Sequence, residues 1–104
     1  MTSPAVGTGI VAFIEARLDE WDAKANERLA GSAIFGMAHA RRLLAEVAKD
    51  RAILALHRRE ADAFPRGDDC VECGRSYPCQ TVRLLAAIDA DHEAYRPEWK
   101  PVAG

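Results

Sequence analysis

The sequence predicts an all-α fold: two long helices paired as an antiparallel hairpin, followed by a loop and a short third helix. Three observations carry that prediction. Apolar residues recur at alternating steps of three and four over long stretches, which gathers them on one face of a helix. No stretch shows the period-two alternation that a half-buried strand requires. Glycine and proline collect between the periodic stretches, where the backbone must turn.

In chain order, residues 1–8, with Ser3, Pro4 and Gly7, read as a flexible leader. Val11, Ile14, Leu18, Trp21, Ala25 and Leu29 then mark one face of a first helix over residues 9–30. Gly31, Ser32 and Gly36 break it, and Ile34 and Phe35 between them are placed to plug the end of the hairpin. A second helix is expected over residues 37–61. Its first half is amphipathic, with Ala40, Leu43, Leu44, Val47 and Ala48 inward and Arg41, Arg42, Glu46 and Lys49 in water. Its second half, Ala52 to Leu56, is apolar all round, which calls for cover on two sides. Residues 64–78 form a loop. Pro78 suits a first helical position, and a third helix follows over residues 79–90 with Val82, Leu84, Leu85 and Ile88 as its apolar content. The tail, residues 91–104, is irregular because of Pro97 and Pro101, with Tyr95 and Trp99 expected to fold back on the helices.

A chain of 104 residues makes one domain, and 49% hydrophobic with 29% charged residues argues against disorder. The net charge of -2 is not the footprint of nonspecific nucleic-acid binding. Seven arginines, Arg41, Arg42, Arg51, Arg58, Arg59, Arg75 and Arg83, are interleaved with Glu46, Asp50 and Glu60, the pattern of a solvated helix face. The first residues lack a basic start, and their apolar run breaks at Glu15, so neither a signal peptide nor a membrane span is expected and the protein is assigned to the cytoplasm.

The chemistry concentrates in ten residues. Cys70, Cys73 and Cys79 are the only cysteines, spaced C-x2-C-x5-C, and Gly74 follows the second one where a tight turn needs a left-handed backbone. In a reducing compartment such a group reads as metal ligands rather than disulfides, and an odd count leaves one thiol over in any pairing scheme. Zinc takes four converging donors, so the site lacks one. His39 lies about 27 Å of helix from His57, at the far end of the molecule. His92 follows Cys79 by thirteen residues, roughly 18–20 Å if they are helical, and reaches the site only if the tail folds back. His57, at the end of the second helix, is the preferred fourth ligand. The metal set is therefore His57, Cys70, Cys73 and Cys79, with His92 the alternative to His57, and the loop becomes a zinc knuckle. Four protein ligands close a zinc site and leave no position for substrate, and no glutamate stands in an H-E-x-x-H or H-x-E pattern. Asp68, Asp69 and Glu72 read as solvating the loop, and no catalytic residue is assigned.

Several segments taken together resemble a small family of uncharacterised proteins from actinobacteria and their phages. They are Ala16 to Glu20 (ARLDE), His39 to His57, Cys70 to Ala86, and Ala90 to Pro101 (ADHEAYRPEWKP). The resemblance implies that His57, Cys70, Cys73, Pro78 with Cys79, Asp91 with His92, and Tyr95 to Trp99 are shared features, and it brings no activity with it. Ala87-Ile88-Asp89 stands where that family has a Pro-Tyr turn. The cysteine spacing is also similar to that of the WhiB-like iron–sulfur regulators, but the fourth cysteine, the Gly-Val-Trp-Gly-Gly turn and the basic tail of those proteins are missing. The resulting expectation is a non-enzymatic, structural-zinc interaction module with a protein partner. A nucleic-acid-associated or iron–sulfur regulator is the alternative, and a metalloenzyme ranks third.

Overall fold

The computed structural model describes residues 6–31, 34–59 and 69–102. Among them the fold is helical: α1 spans Val6–Ala30, α2 spans Ile34–Leu56, α3 spans Gln80–Ala87, and a 3-10 turn covers Pro97–Trp99. No strand occurs among the described residues, only isolated bridges between Arg59 and Cys70 and between Asp69 and Ser76.

The buried stripe of α1 is Ile10, Phe13, Ile14, Leu18 and Ala25. It is rotated from the expected face at its start: Ile10 and Phe13 are buried, Val11 is only half-buried, and Trp21 is 41% exposed. The reason lies in the tail, which covers the Phe13 side of the helix. The Phe13 ring meets those of His92, Tyr95 and Trp99 at centroid distances of 5.6, 5.8 and 5.2 Å, and Trp99 is almost fully buried. Aromatic pairs in these tilted and edge-on arrangements add to the area they bury. The helix also starts earlier than expected, at Val6 instead of residue 9. A Cβ at Gly9 would come within 3.3 Å of Trp99 Cζ2, so the bare backbone there makes room for the indole.

On α2 the buried residues Ala40, Val47 and Leu54 recur every seven positions and face α1. Val11, Glu15 and Asp19 share a groove with Arg51, Leu54 and Arg58, whereas Leu18 and Trp21 share another with His39 and Leu43. The start of one helix therefore lies beside the end of the other. Arg51 crosses between them to Asp19 at 2.7 Å and to Asp22 at 3.7 Å.

Three further boundaries differ from expectation. Gly36, expected to break the pattern, lies inside α2, whose first turn starts at Ile34 where a hairpin plug was expected. At the other end α2 stops at Leu56, five residues early, because the chain past His57 pairs with the cysteine loop: Arg59 bridges Cys70, and the Val71 N–H donates to Arg58 O at 3.0 Å. The all-apolar stretch is not covered on two sides, since Leu54 is buried while Ala52, Ala55 and Leu56 are exposed. The third helix packs on α1 instead. It is itself shorter than expected, passing after Ala87 into three-residue turns (Asp89 N–H to Ala86 O, Ala90 N–H to Ala87 O, His92 N–H to Asp89 O). Its buried residues are Val82 and Ala86, and Leu84 and Ile88 point to solvent at 53% and 76% exposure.

Candidate metal centre

Each element of the fold delivers one part of the cysteine–histidine group. His57 follows the last residue of α2, where its N–H still closes the final turn on Ile53 O at 3.1 Å. The side chain is half-buried and points back under the loop. Residues 70–75 form a knuckle closed by two backbone bonds, Cys70 N–H to Arg75 O at 2.7 Å and Gly74 N–H to Cys70 O at 2.9 Å. Gly74 adopts φ +71°, and a Cβ there would meet nothing within 4 Å. What demands glycine is therefore the left-handed backbone alone. Cys79 caps the N-terminus of α3 in an extended conformation, with Pro78 one residue before it, a register shift of one or two residues from the expected first turn.

These pieces converge. The Nδ1 atom of His57 lies 3.4 Å from Cys70 Sγ and 3.5 Å from Cys79 Sγ. The four candidate ligand atoms of His57, Cys70, Cys73 and Cys79 all lie within 4.8 Å of one another. Zinc–sulfur and zinc–nitrogen bonds of about 2.3 and 2.0–2.1 Å in a tetrahedron put ligand atoms roughly 3.6–3.8 Å apart. A single small ion therefore fits the donor set with little movement. All three cysteines are free thiols, with Cys70 and Cys79 buried and Cys73 at the surface.

Electrostatics differ across the group. Burial pushes the Cys79 thiol up to about 11, partly offset by the Val82 backbone and reinforced by the neighbouring sulfurs of Cys70 and Cys73. The Cys73 thiol is lowered, chiefly by hydrogen bonding from the Arg75 backbone and further by the Cys70 and Cys79 side chains. The knuckle turn thus favours a thiolate at its exposed corner, while the cap position favours one only if a positive charge sits beside it.

The other two histidines lie elsewhere. His39 is exposed on α2 and lines the groove facing Trp21. His92 has been drawn into the tail: its Nε2 meets Arg17, its Nδ1 accepts the Ala94 N–H at 3.0 Å, and its ring packs on Phe13. Asp69 and Glu72 are exposed on the knuckle, and Asp68 lies outside the described residues.

Tyr95 and Trp99 pack back on α1 as the sequence implies, but the sequence pattern did not single out Phe13 and Arg17 as the residues that receive the tail. Arg17 lies with its guanidinium 5.2 Å from the Phe13 ring and also pairs with Glu20 at 3.0 Å. Tyr95 Oη, Trp99 Nε1 and Arg17 Nε are buried there without hydrogen-bond partners. The signal was the run of aromatic residues after residue 90, which needs a matching aromatic on a helix.

Over residues 7–101, a span that takes in the whole cluster and the packed tail, the sequence matches the model of a family of unknown function, DUF6221. The chain belongs to that family. No curated protein and no solved structure matches it. In this DUF6221 chain the matched region is therefore the same unit as the three helices, the knuckle and the tail through Pro101. None of its helices is long and apolar enough to cross a membrane among the described residues.

Proposed function

We propose that this chain is a small, single-domain, non-enzymatic interaction module. In it His57, Cys70, Cys73 and Cys79 hold one structural zinc ion, and the metal fixes a helical surface for a protein partner. The observation that carries the reading is the convergence of one imidazole nitrogen and three sulfurs, from three separate elements, within 4.8 Å. Zinc suits this donor set better than an iron–sulfur cluster, because several irons would hold their ligands further apart than one ion does. Four protein ligands leave no open coordination position, which favours a structural over a catalytic role. Three of the seven arginines are committed within the chain, which weakens the case for a nucleic-acid surface: Arg51 is paired with Asp19 and Asp22, Arg42 with Glu46, and Arg83 with the carbonyls of Pro78, Glu98 and Lys100. The cytoplasm, with thiols reduced, is the setting this chemistry suits.

Elemental analysis of protein purified without added metal tests the site. One zinc per chain is expected, reduced in His57→Ala and Cys73→Ser but kept in His92→Ala. Iron with inorganic sulfide, or metal content unmoved by the His57 change, would overturn it. Cobalt substitution should give a closed S3N spectrum that added small ligands leave unchanged.

A further inference from the structure

α3 is too short to complete the bundle. Its eight residues span about 12 Å, against roughly 35–38 Å for the 25 and 23 residues of α1 and α2. It also packs on α1 and stands off from α2. A groove of about 330 Å³ is left between α2 and the end of α3, with Leu18 and Trp21 of α1 as its floor. Leu43 and Val47 form one wall, and Leu85 and Ile88 the other.

Acids outnumber cations along the lining of this apolar groove. Glu46, paired at 3.3 Å with Arg42 outside the lining, and Asp50 enter from α2, and Asp89 enters from the turn after α3. Facing them are Arg17, already held by Glu20 and His92, and His39 at one end. Asp50 keeps only 18% of its side chain exposed, and its partner Lys49 is 3.5 Å away on the solvent side. Asp89 is raised, chiefly by desolvation, in spite of Arg17 and His92, and Glu20 adds to the effect. Partly buried carboxylates on both walls of an apolar trough gain from a further cation seated beside them.

We infer that this groove is the docking site for an amphipathic helix of a partner protein, one whose apolar stripe is edged with lysine or arginine. Apolar side chains at i, i+3, i+4 and i+7 of such a helix seat on Trp21, Val47, Leu85 and Ile88, and its cations reach Asp50 and Asp89. Docking turns three helices into four, the arrangement in which every long helix of a bundle is covered. The inference rests on the reading of the chain as an interaction module and names the surface and the partner chemistry.

The test uses the full chain as purified and two labelled model peptides of about 18 residues, long enough to form a helix once docked. One is built of leucine and lysine and the other of leucine and glutamate. Fluorescence anisotropy should show binding of the lysine peptide and none of the glutamate peptide. Affinity should fall about tenfold in Asp50→Asn/Asp89→Asn and at least as far in Ile88→Lys, whose parent side chain is already in solvent and not needed for folding. Equal binding of both peptides, no binding of either, or unchanged affinity in the variants overturns the proposal. So does a concentration-dependent dimer in sedimentation that Ile88→Lys abolishes, because a second copy would then own the groove. Binding lost on chelation but indifferent to the groove variants would leave the metal-pinned module standing and remove only the groove. Binding that depends on the groove in protein without zinc would do the reverse.

Discussion

Gly9, Gly74 and Asp89 each show how one side chain, or its absence, is decided by its neighbours. At Gly74 nothing crowds a Cβ, so Gly74→Ala should cost only the left-handed backbone term, about 1–2 kcal/mol, read as a lower melting temperature with metal still bound. At Gly9 the opposite holds, because the backbone is helical and Trp99 Cζ2 stands 3.3 Å from where a Cβ would sit, closer than ordinary contact. Alanine there gains helix propensity of up to about 1 kcal/mol and loses it to the indole. The two effects separate in a double-mutant cycle: Gly9→Ala should stabilise a Trp99→Ala background and fail to stabilise the parent, and equal effects in both would refute the close approach. Asp89 has its carboxyl raised in the folded state, so its ionised form opposes folding. Stability from this group is full below the ordinary carboxylate range and lost as pH rises through the raised value. Asp89→Asn should therefore melt at a higher temperature than the parent at pH 7, with the difference vanishing in acid. The same substitution is expected to weaken helix docking, so stability and binding are opposed at this position.

The elements were legible to different degrees, and the reasons are physical. α1 and α2 were readable because long apolar periodicity survives the loss of a residue or two at either end. Their limits were not: the end of α2 is set by a distant partner, the cysteine loop, which pulls Arg58 and Arg59 out of the helix. The stretch Ala52 to Leu56 misled because composition shows how much apolar surface exists but not which neighbour arrives to cover it. The grouping of His57 with the three cysteines was more legible than the fold around it, because three cysteines and a glycine in one short segment leave few chemistries open, and their ligand atoms do come within 4.8 Å of one another. What spacing could not supply was Arg17, which acts through the tail and has no motif of its own. At this scale metal removal has a regional signature. Structural zinc supplies folding free energy directly. Chelation should raise amide exchange from Asp69 to Arg83 and at the end of α2 first, while the middle of α1 and α2 stays protected. Uniform exchange throughout would mean that the metal contributes little local order.

For the whole molecule, filling the proposed metal site would give the short elements two separate anchors on the long pair. One is the cysteine–histidine group at the end of α2, once it holds its ion. The other is the aromatic tail over the start of α1. Trp99→Ala should cost about 3–5 kcal/mol, the usual penalty for emptying a buried aromatic position, and should leave metal content unchanged. Loss of zinc in that variant would show that the two anchors act as one unit. The ion pairs between α1 and α2 are exposed at Asp19 and half-exposed at Arg51, so each contributes at most about 1 kcal/mol and none decides the fold.

The aromatic tail has a further consequence for how the protein is made. Among the described residues, the rings that meet Phe13 are those of His92, Tyr95 and Trp99, about eighty residues later in the sequence. Synthesis runs from the N-terminus, so α1 leaves the ribosome with its Phe13 face bare until those later residues have been made. A nascent chain stalled short of residue 92 would carry the complete cysteine knuckle and still display the surface that chaperones recognise.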